Sequence, residues 1–510
     1  MIGYRQSAFN RIALGALLAL LPAVSGCSYM KAQTSEPFTL ELIRSDHPAQ
    51  VLRTDTPVLK EIRRITGITL NLVPVPLSSY SDKKRSLMTT GHMPDILLIN
   101  PNEMTEFART GIFLPVSDYL EQMPHFRSIL KENPLMQRLY VDGKLYGFPV
   151  TAEHYIQNAK APMIRTDILM KHQLEVPRTF DELYTVLQKL KELYPDSIPW
   201  TARGIGSFLN AVAFGLGSGA GMYFDPDLGG GRYLYGTNKR EFKEVLMYLN
   251  RLYREELIDS DFDVNSQQRW SDNLGTGKSF FYYDNYTFAL NFNEALKRDH
   301  PDYRLELIPY LANAKGSTRG FLYPKGWLSD IYAISSNVED PLRVIKLFDW
   351  LYSPEGAMVS NFGIRGETYE ILDGEPRVSA RLAETYKQTA DPIRMMQSEV
   401  GAGLLAISPL VDERPAMELS SPDLLRWSEQ LKRDPGAIVI DNLAPSFTKE
   451  ERDRLTHIRS RLAPLEQELL KFIIGTRPLS EYEAYAEQLT GAGVPEMETI
   501  YNDALARVRP

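Results

Sequence analysis

A chain of 510 residues is longer than one ordinary core organises and suits two or three domains. With 43% hydrophobic and 24% charged residues it is a soluble globular protein rather than a disordered or fibrous one. The formal net charge of −8, with 57 basic residues scattered and in no long run, argues against nucleic acid as a partner.

Arg5 and Arg11 give a positive leader, and residues 12–21 (IALGALLALL) form an apolar run too short to span a membrane as a permanent helix. Small residues then lead into Cys27, the one cysteine of the chain. That order describes a secretory signal over residues 1–26. Val24-Ser25-Gly26-Cys27 resembles the bacterial lipobox, which implies a diacylglyceryl group on the Cys27 thiol and a cut just before it. The alternative is a plain secreted chain with an incidental cysteine. Each acyl CH₂ buried in lipid contributes about 0.8 kcal/mol, so two chains tether firmly. A lone cysteine forms no internal disulfide, so the fold must hold without one. Residues 27–37 read as the lipidated cysteine and a polar tether, with the body starting near Phe38.

Residues 38–44 (FTLELIR) alternate and predict a first strand. Residues 58–66 carry helical spacing and stop at Gly67. Residues 68–75 predict a second strand, residues 84–90 a helix stopped by Gly91, and residues 95–99 (DILLI) a strand buried on both faces. This β-α-β-α-β order implies a right-handed, mostly parallel α/β unit. Ligands bind beyond the C-terminal ends of such strands, which points to the loop Asn100-Pro101-Asn102.

Residues 140–149 contain the Asp-Gly of a hairpin turn, and residues 151–158 look extended. Thr179 and Glu182 form a capping box that opens a strong helix. Further helices fall at residues 241–257, 341–352, 462–474 and 496–508, and strands at 280–283 and 332–335. There is no fixed-period repeat. The run Gly275-Thr276-Gly277-Lys278-Ser279 is not a phosphate loop, because Asp272 stands where that loop needs glycine. The glycines from Gly215 to Gly221 lack dinucleotide spacing, no HExxH occurs, and the 7 histidines are spread out, so neither a nucleotide nor zinc is expected.

Several segments line up in order with one family: residues 142–149 (DGKLYGFP), 164–169 (IRTDIL), 177–183 (PRTFDEL), 252–259 (LYREELID), 351–356 (LYSPEG), 471–476 (KFIIGT) and 501–504 (YNDA). Together they resemble the extracellular solute-binding proteins of ABC importers, in the large sugar-type family 1 and its lipoprotein branch. The resemblance spans essentially the whole mature chain. It implies a two-lobe, periplasmic-binding-protein-like α/β fold of type II, with crossing strands at a hinge and a ligand cleft between the lobes. By that resemblance lobe one holds residues 38–150 and 329–377, and lobe two holds 158–325 and 378–510. The crossings lie at 151–157 and 326–332, with a third somewhere after Tyr369. The implied partners are a carbohydrate ligand, the permease subunits and the membrane through the lipid anchor, for a monomer facing outward. Some relatives carry a calcium loop after the helix that begins PxTxxEL. Here residues 194–200 (YPDSIPW) offer one carboxylate, so no metal and no cofactor are expected.

Sugars present C–H faces that suit aromatic rings and hydroxyl edges that suit polar side chains. The chain has 27 Tyr, 21 Phe and 5 Trp, most of which must be core, so position selects the candidates. They are Glu153, His154 and Tyr155 at the first crossing; Ser218, Gly219, Met222 and Tyr223 in the glycine-rich run; Trp270; Tyr283, Asp284 and Asn285; Trp327 near the second crossing; and Asn100 and Tyr369. For each ring the competing role is core packing, for Asp284 it is turn capping, and for His154 it is satisfying backbone near the hinge. The expected function is non-catalytic capture of a sugar or oligosaccharide. The alternatives are a glycan-processing enzyme built on two carboxylates such as Glu153 and Asp284, or a binding lipoprotein that feeds a sensor with a non-sugar solute.

Overall fold

The computed structural model describes residues 38–46, 51–153, 159–297, 299–322, 330–389, 391–440, 445 and 447–508. The signal, Cys27 and its tether, His154, Tyr155, Trp327 and most of the second crossing lie outside the described residues, as does the Glu153 side chain.

The chain opens with the strand Phe38–Asp46, whose side chains alternate between buried and exposed over its first half. It pairs in parallel with Ile68–Pro76, Phe38 opposite Ile68, and with Ile96–Ile99, Leu42 opposite Ile96. The all-apolar Ile96–Ile99 is buried throughout, as a strand covered on both faces must be. Ile331–Ile334 returns antiparallel beside it, and Phe148–Pro149 closes the five-stranded sheet at one edge. The helix Pro57–Thr66 starts where the Thr56 side chain accepts from the Leu59 amide. It stops at Gly67, whose φ of 69° suits a residue without Cβ, and buries Val58, Leu59 and Ile62.

Some boundaries move. The second helix runs Leu77–Thr90, starting ahead of the expected residue 84. The long helix of lobe two runs Arg240–Arg254. The C-terminal run expected at residues 462–474 divides into Lys449–Glu466, with Pro464 inside its last turn, and Leu469–Ile474. The Asp142-Gly143 turn forms as read, with φ of 51° and 76° and Val141 bridged to Lys144. At Thr179 half of the capping box forms: Thr179 Oγ1 accepts from the Glu182 amide, but the Glu182 carboxylate takes the Arg178 amide.

Two hydrophobic cores result. The first gathers residues from Phe38 to Val150, then from Ile331 onward through Val378, Tyr386, Met396, Val400 and Ile407 to Leu419. The second gathers Ala159 to Leu322 and then Leu424 to Leu505. The expectation that 378–510 belongs wholly to lobe two is therefore corrected. The buried faces of Ala380–Lys387 and Pro392–Val400 join the first core, and the third crossing falls between Leu419 and Leu424.

Lobe two is built on Leu305–Leu307, Lys160–Arg165 and Phe281–Asn285, all antiparallel, with Gly320–Leu322 parallel to Ala437–Val439 beside them. Ile205–Gly215 packs against it, and Phe180–Leu193 and Arg240–Arg254 add their apolar stripes to the same core. Trp200 stands edge-on to Phe208 and Phe281. Among the described residues no helix is long and apolar enough to cross a membrane.

Candidate functional site

The crossings fix where the two lobes face each other. Val150 N donates to Asp330 O at 2.8 Å, and Thr151 N donates to Pro409 O at 2.8 Å. The strand Thr151–Glu153 then pairs in parallel with Leu410–Asp412. Asn361 clamps that second strand. Its amide donates to Leu410 O at 2.7 Å, and its carbonyl accepts from Asp412 N at 3.0 Å. On the far side Ala159 is bridged to Leu322, so the first and last described residues of this part of lobe two are neighbours.

Lys160, next in the chain, is opposite Asn285 in the sheet, and Ala161 is opposite Asp284. Asp284 thus stands at the edge of lobe two nearest the crossings. It is 4% exposed and its carboxylate is gripped by Arg203 Nε at 2.8 Å, with Lys160 Nζ at 4.0 Å. The Arg203 guanidinium lies over the Phe288 ring at 4.9 Å and stays partly exposed. Burial pushes the Lys160 ammonium below its ordinary pKa, opposed by the Asp284 charge. The Asn285 carbonyl is taken by Thr287, whose amide and hydroxyl donate to it at 3.0 and 2.9 Å, so this side chain caps a turn.

The glycine-rich run forms the next wall. Ser218 N returns to Ala213 O at 2.8 Å, closing the helix Ile205–Gly215. The Ser218 hydroxyl is buried without a hydrogen-bond partner among the described residues. Met222 and Tyr223 begin the hairpin of Met222–Asp225 with Arg232–Tyr235. The Tyr223 ring packs so close to Gly219 that a Cβ there would sit 2.2 Å from its nearest ring carbon. The Tyr223 hydroxyl donates to Asp225 at 3.1 Å, and burial, seconded by that carboxylate, raises the phenol above its ordinary pKa. Across the gap Arg138 of lobe one reaches the Tyr233 hydroxyl at 3.5 Å.

Lobe one presents the C-terminal ends of its parallel strands, as the sheet rule requires. Asn100 is there, but as a helix cap: its side chain accepts from Glu103 N at 2.9 Å, and Glu103 accepts from Asn100 N at 2.8 Å. Lys84 pairs with Glu103 at 2.8 Å and lies over the Tyr80 ring. The Tyr80 hydroxyl is buried with no hydrogen-bond partner among the described residues, and burial raises its pKa. Arg44, at the end of the first strand, donates to the carbonyls of Leu404 and Leu405.

The structure brings together Ser218, Gly219, Met222 and Tyr223 in one wall and Asp284 and Asn285 beside the crossings. It places other candidates in the cores. Trp270 is 2% exposed and stands edge-on to Tyr282, Phe288 and Phe292, and Tyr283 is 4% exposed. Polar neighbours in sequence gave Trp270 the look of a surface ring, but they occupy the opposite face of its helix. Tyr369 packs on Phe362 in a hairpin of lobe one. Sequence reasoning missed Arg203, Arg319 and Tyr80. Arg203 carries a usable signal, an arginine between the buried run Trp200-Thr201-Ala202 and a helix opened by Gly204. Residues 194–200 do not fit calcium: Asp196 is the one carboxylate, and Lys191 Nζ already donates to the Ser197 carbonyl at 2.9 Å. Among the described residues no group of three or more His, Cys, Asp or Glu could hold a metal.

Two α/β lobes joined by crossing strands, with polar and aromatic groups on the facing edges, define a protein that captures a solute in a cleft. A model of the bacterial extracellular solute-binding proteins matches residues 54–358, and the chain belongs to that family. It is 25% identical over 469 residues to the polygalacturonan/rhamnogalacturonan-binding protein YtcQ of Bacillus subtilis (strain 168), covering 88% of each chain. It is 23% identical over 479 residues to the fructooligosaccharide ABC transporter substrate-binding protein FusA of Streptococcus pneumoniae serotype 4, covering 86% of this chain and 84% of that one. The solved structure of alginate-binding protein AlgQ2 without calcium ion shares the fold, with a TM-score of 0.76 at 23% identity over 93% of this chain and 99% of that one.

Proposed function

We propose that the protein is the substrate-binding lipoprotein of an ABC importer, that it captures a sugar or oligosaccharide between its lobes, and that Cys27 holds it by a lipid anchor on the outer side of the cell membrane. The reading is supported by the charged and aromatic groups that each lobe carries, Arg203–Asp284 beside the start of lobe two and Lys84–Glu103 with Tyr80 at the strand ends of lobe one. An arginine–carboxylate pair presents donors and an acceptor together, which suits vicinal hydroxyls. Tyr223 supplies a face for sugar C–H groups. Ser218, Gly219, Met222 and Asn285, and from the crossings Glu153, His154, Tyr155 and Trp327, complete the proposed contact set. Micromolar capture requires about 8 kcal/mol. One or two stacked rings at about 1 kcal/mol each and several polar contacts at about 1 kcal/mol each supply much of it in a closed, desolvated cleft. Of the relatives named above, YtcQ is a polygalacturonan/rhamnogalacturonan-binding protein and FusA a fructooligosaccharide substrate-binding protein, and the Asp284 carboxylate is already engaged by Arg203, which supports binding over catalysis.

The test is isothermal calorimetry on the full mature chain with oligogalacturonates, fructo-oligosaccharides and alginate oligosaccharides. Saturable heat with at least one of them is expected, with no cleaved product by chromatography. Binding of peptides or small organic ions with no response to any sugar overturns the assignment.

A further inference from the structure

We infer that Arg319, acting through Asp225, fixes the ring of Tyr223 and thereby sets how tightly the cleft holds its ligand; this rests on the oligosaccharide reading above. Tyr223 and Asp225 are two residues apart on one strand, so their side chains share a face. One Asp225 oxygen accepts from the Tyr223 hydroxyl at 3.1 Å, and the other accepts from Arg319 Nη2 at 3.0 Å and from the Asp227 amide at 3.0 Å. Arg319 and Asp225 are both buried, and the guanidinium is held over the Phe214 ring at 4.4 Å. At its other end the Tyr223 ring rests against Gly219, where a Cβ would come within 2.2–2.7 Å of three ring carbons. The half-buried ring is thus held at its root by a residue without a side chain and at its hydroxyl by a carboxylate that Arg319 keeps aimed. The hairpin that carries it reaches lobe one on its other face, where Arg138 meets Tyr233, the partner of Phe224 in the register. A ring fixed before the ligand arrives loses no rotamer freedom on stacking, so affinity depends on the parts that fix it.

Arg319 and Asp225 are positioning residues, and Gly219 makes room. The experiment is calorimetry on the full mature chain, using whichever of oligogalacturonate, fructo-oligosaccharide or alginate oligosaccharide binds the unaltered protein most tightly. Arg319→Gln and Gly219→Ala are each expected to weaken that sugar by about tenfold, and Arg319→Lys by less. Gly219→Ala leaves the ion pair in place, so the test stays readable if Arg319→Gln fails to fold. In a Tyr223→Ala background neither change is expected to weaken binding further, an outcome that a general structural role would not give. Losses that simply add in the double variants, or single variants that bind like the unaltered protein, overturn the inference and leave the oligosaccharide reading standing. Failure of the unaltered protein to bind any of the sugars overturns both.

Discussion

Asn361 is the residue whose loss should loosen the crossings most specifically. Its side chain is 2% exposed, donates to Leu410 O at 2.7 Å and Ala357 O at 2.8 Å, and accepts from Asp412 N at 3.0 Å. Asn361→Ala removes these bonds together with the longer ones to the Ser360 and Ser408 hydroxyls at 3.3 Å. Leu410 O keeps the Ser408 hydroxyl at 3.0 Å, but the Asp412 amide loses its partner. A partly buried amide left unpaired costs about 1–2 kcal/mol, and the lost bond to Leu410 about 1 kcal/mol more, so roughly 2–3 kcal/mol falls on this one strand. That strand is the one paired with Thr151–Glu153 of the first crossing. Local opening at both strands should therefore become about 30- to 150-fold easier, at 1.4 kcal/mol per tenfold. Amide hydrogen exchange read by mass spectrometry checks this, with peptides covering Leu410–Asp412 and Thr151–Glu153 losing protection. Peptides covering Phe281–Asn285 in the other lobe serve as the control and should not change. Protection falling by less than threefold, or falling equally in the control, refutes the clamp.

Glu306 accepts from the Trp427 indole at 2.8 Å and from Arg426 at 2.9 Å. Glu306→Ala leaves the buried Trp427 indole without this partner while Arg426 keeps Asp423 at 2.7 Å, and the second lobe is expected to lose about 1–3 kcal/mol in urea unfolding followed by tryptophan fluorescence. Phe348 is fully buried and stacks on Phe148 at 4.2 Å with a 4° interplanar angle. Phe348→Ala should cost the first lobe about 3–5 kcal/mol, visible in the same assay through Trp350. Cys27→Ala is expected to move the protein from the membrane fraction to the medium; an unchanged distribution on fractionation rules out the thiol as the anchor point.

The first lobe was legible in the sequence where one segment decided its own state. Ile96–Ile99 is too short and too uniformly apolar to be anything but a buried strand, and Gly67 and Gly91 stop their helices as read. The third crossing was not legible. Ala380–Lys387 and Pro392–Val400 have apolar faces that show they are covered, but a face does not say which of two cores covers it. The site divided in the same way. The glycine-rich run announced close backbone approach, and the structure puts the Tyr223 ring against Gly219. Trp270 misled because its polar sequence neighbours lie on the other face of a helix whose inner side meets Tyr282 and Phe292. Arg203 and Arg319 escaped notice because their importance comes from Asp284 and Asp225, partners 81 and 94 residues away.

The path of the chain between the lobes also bears on how the molecule is made. Ile331–Ile334 lies between Ile96–Ile99 and Phe148–Pro149, so the earliest part of the chain to emerge has a gap in the middle of its sheet. Until the whole second lobe up to Leu322 has followed, Ile96–Ile99 offers bare backbone to any passing strand. Pairings this distant are slow to form and leave sticky intermediates meanwhile. A nascent chain therefore gains from a holding chaperone during that wait, and a fragment cut before residue 331 would keep the gap and aggregate.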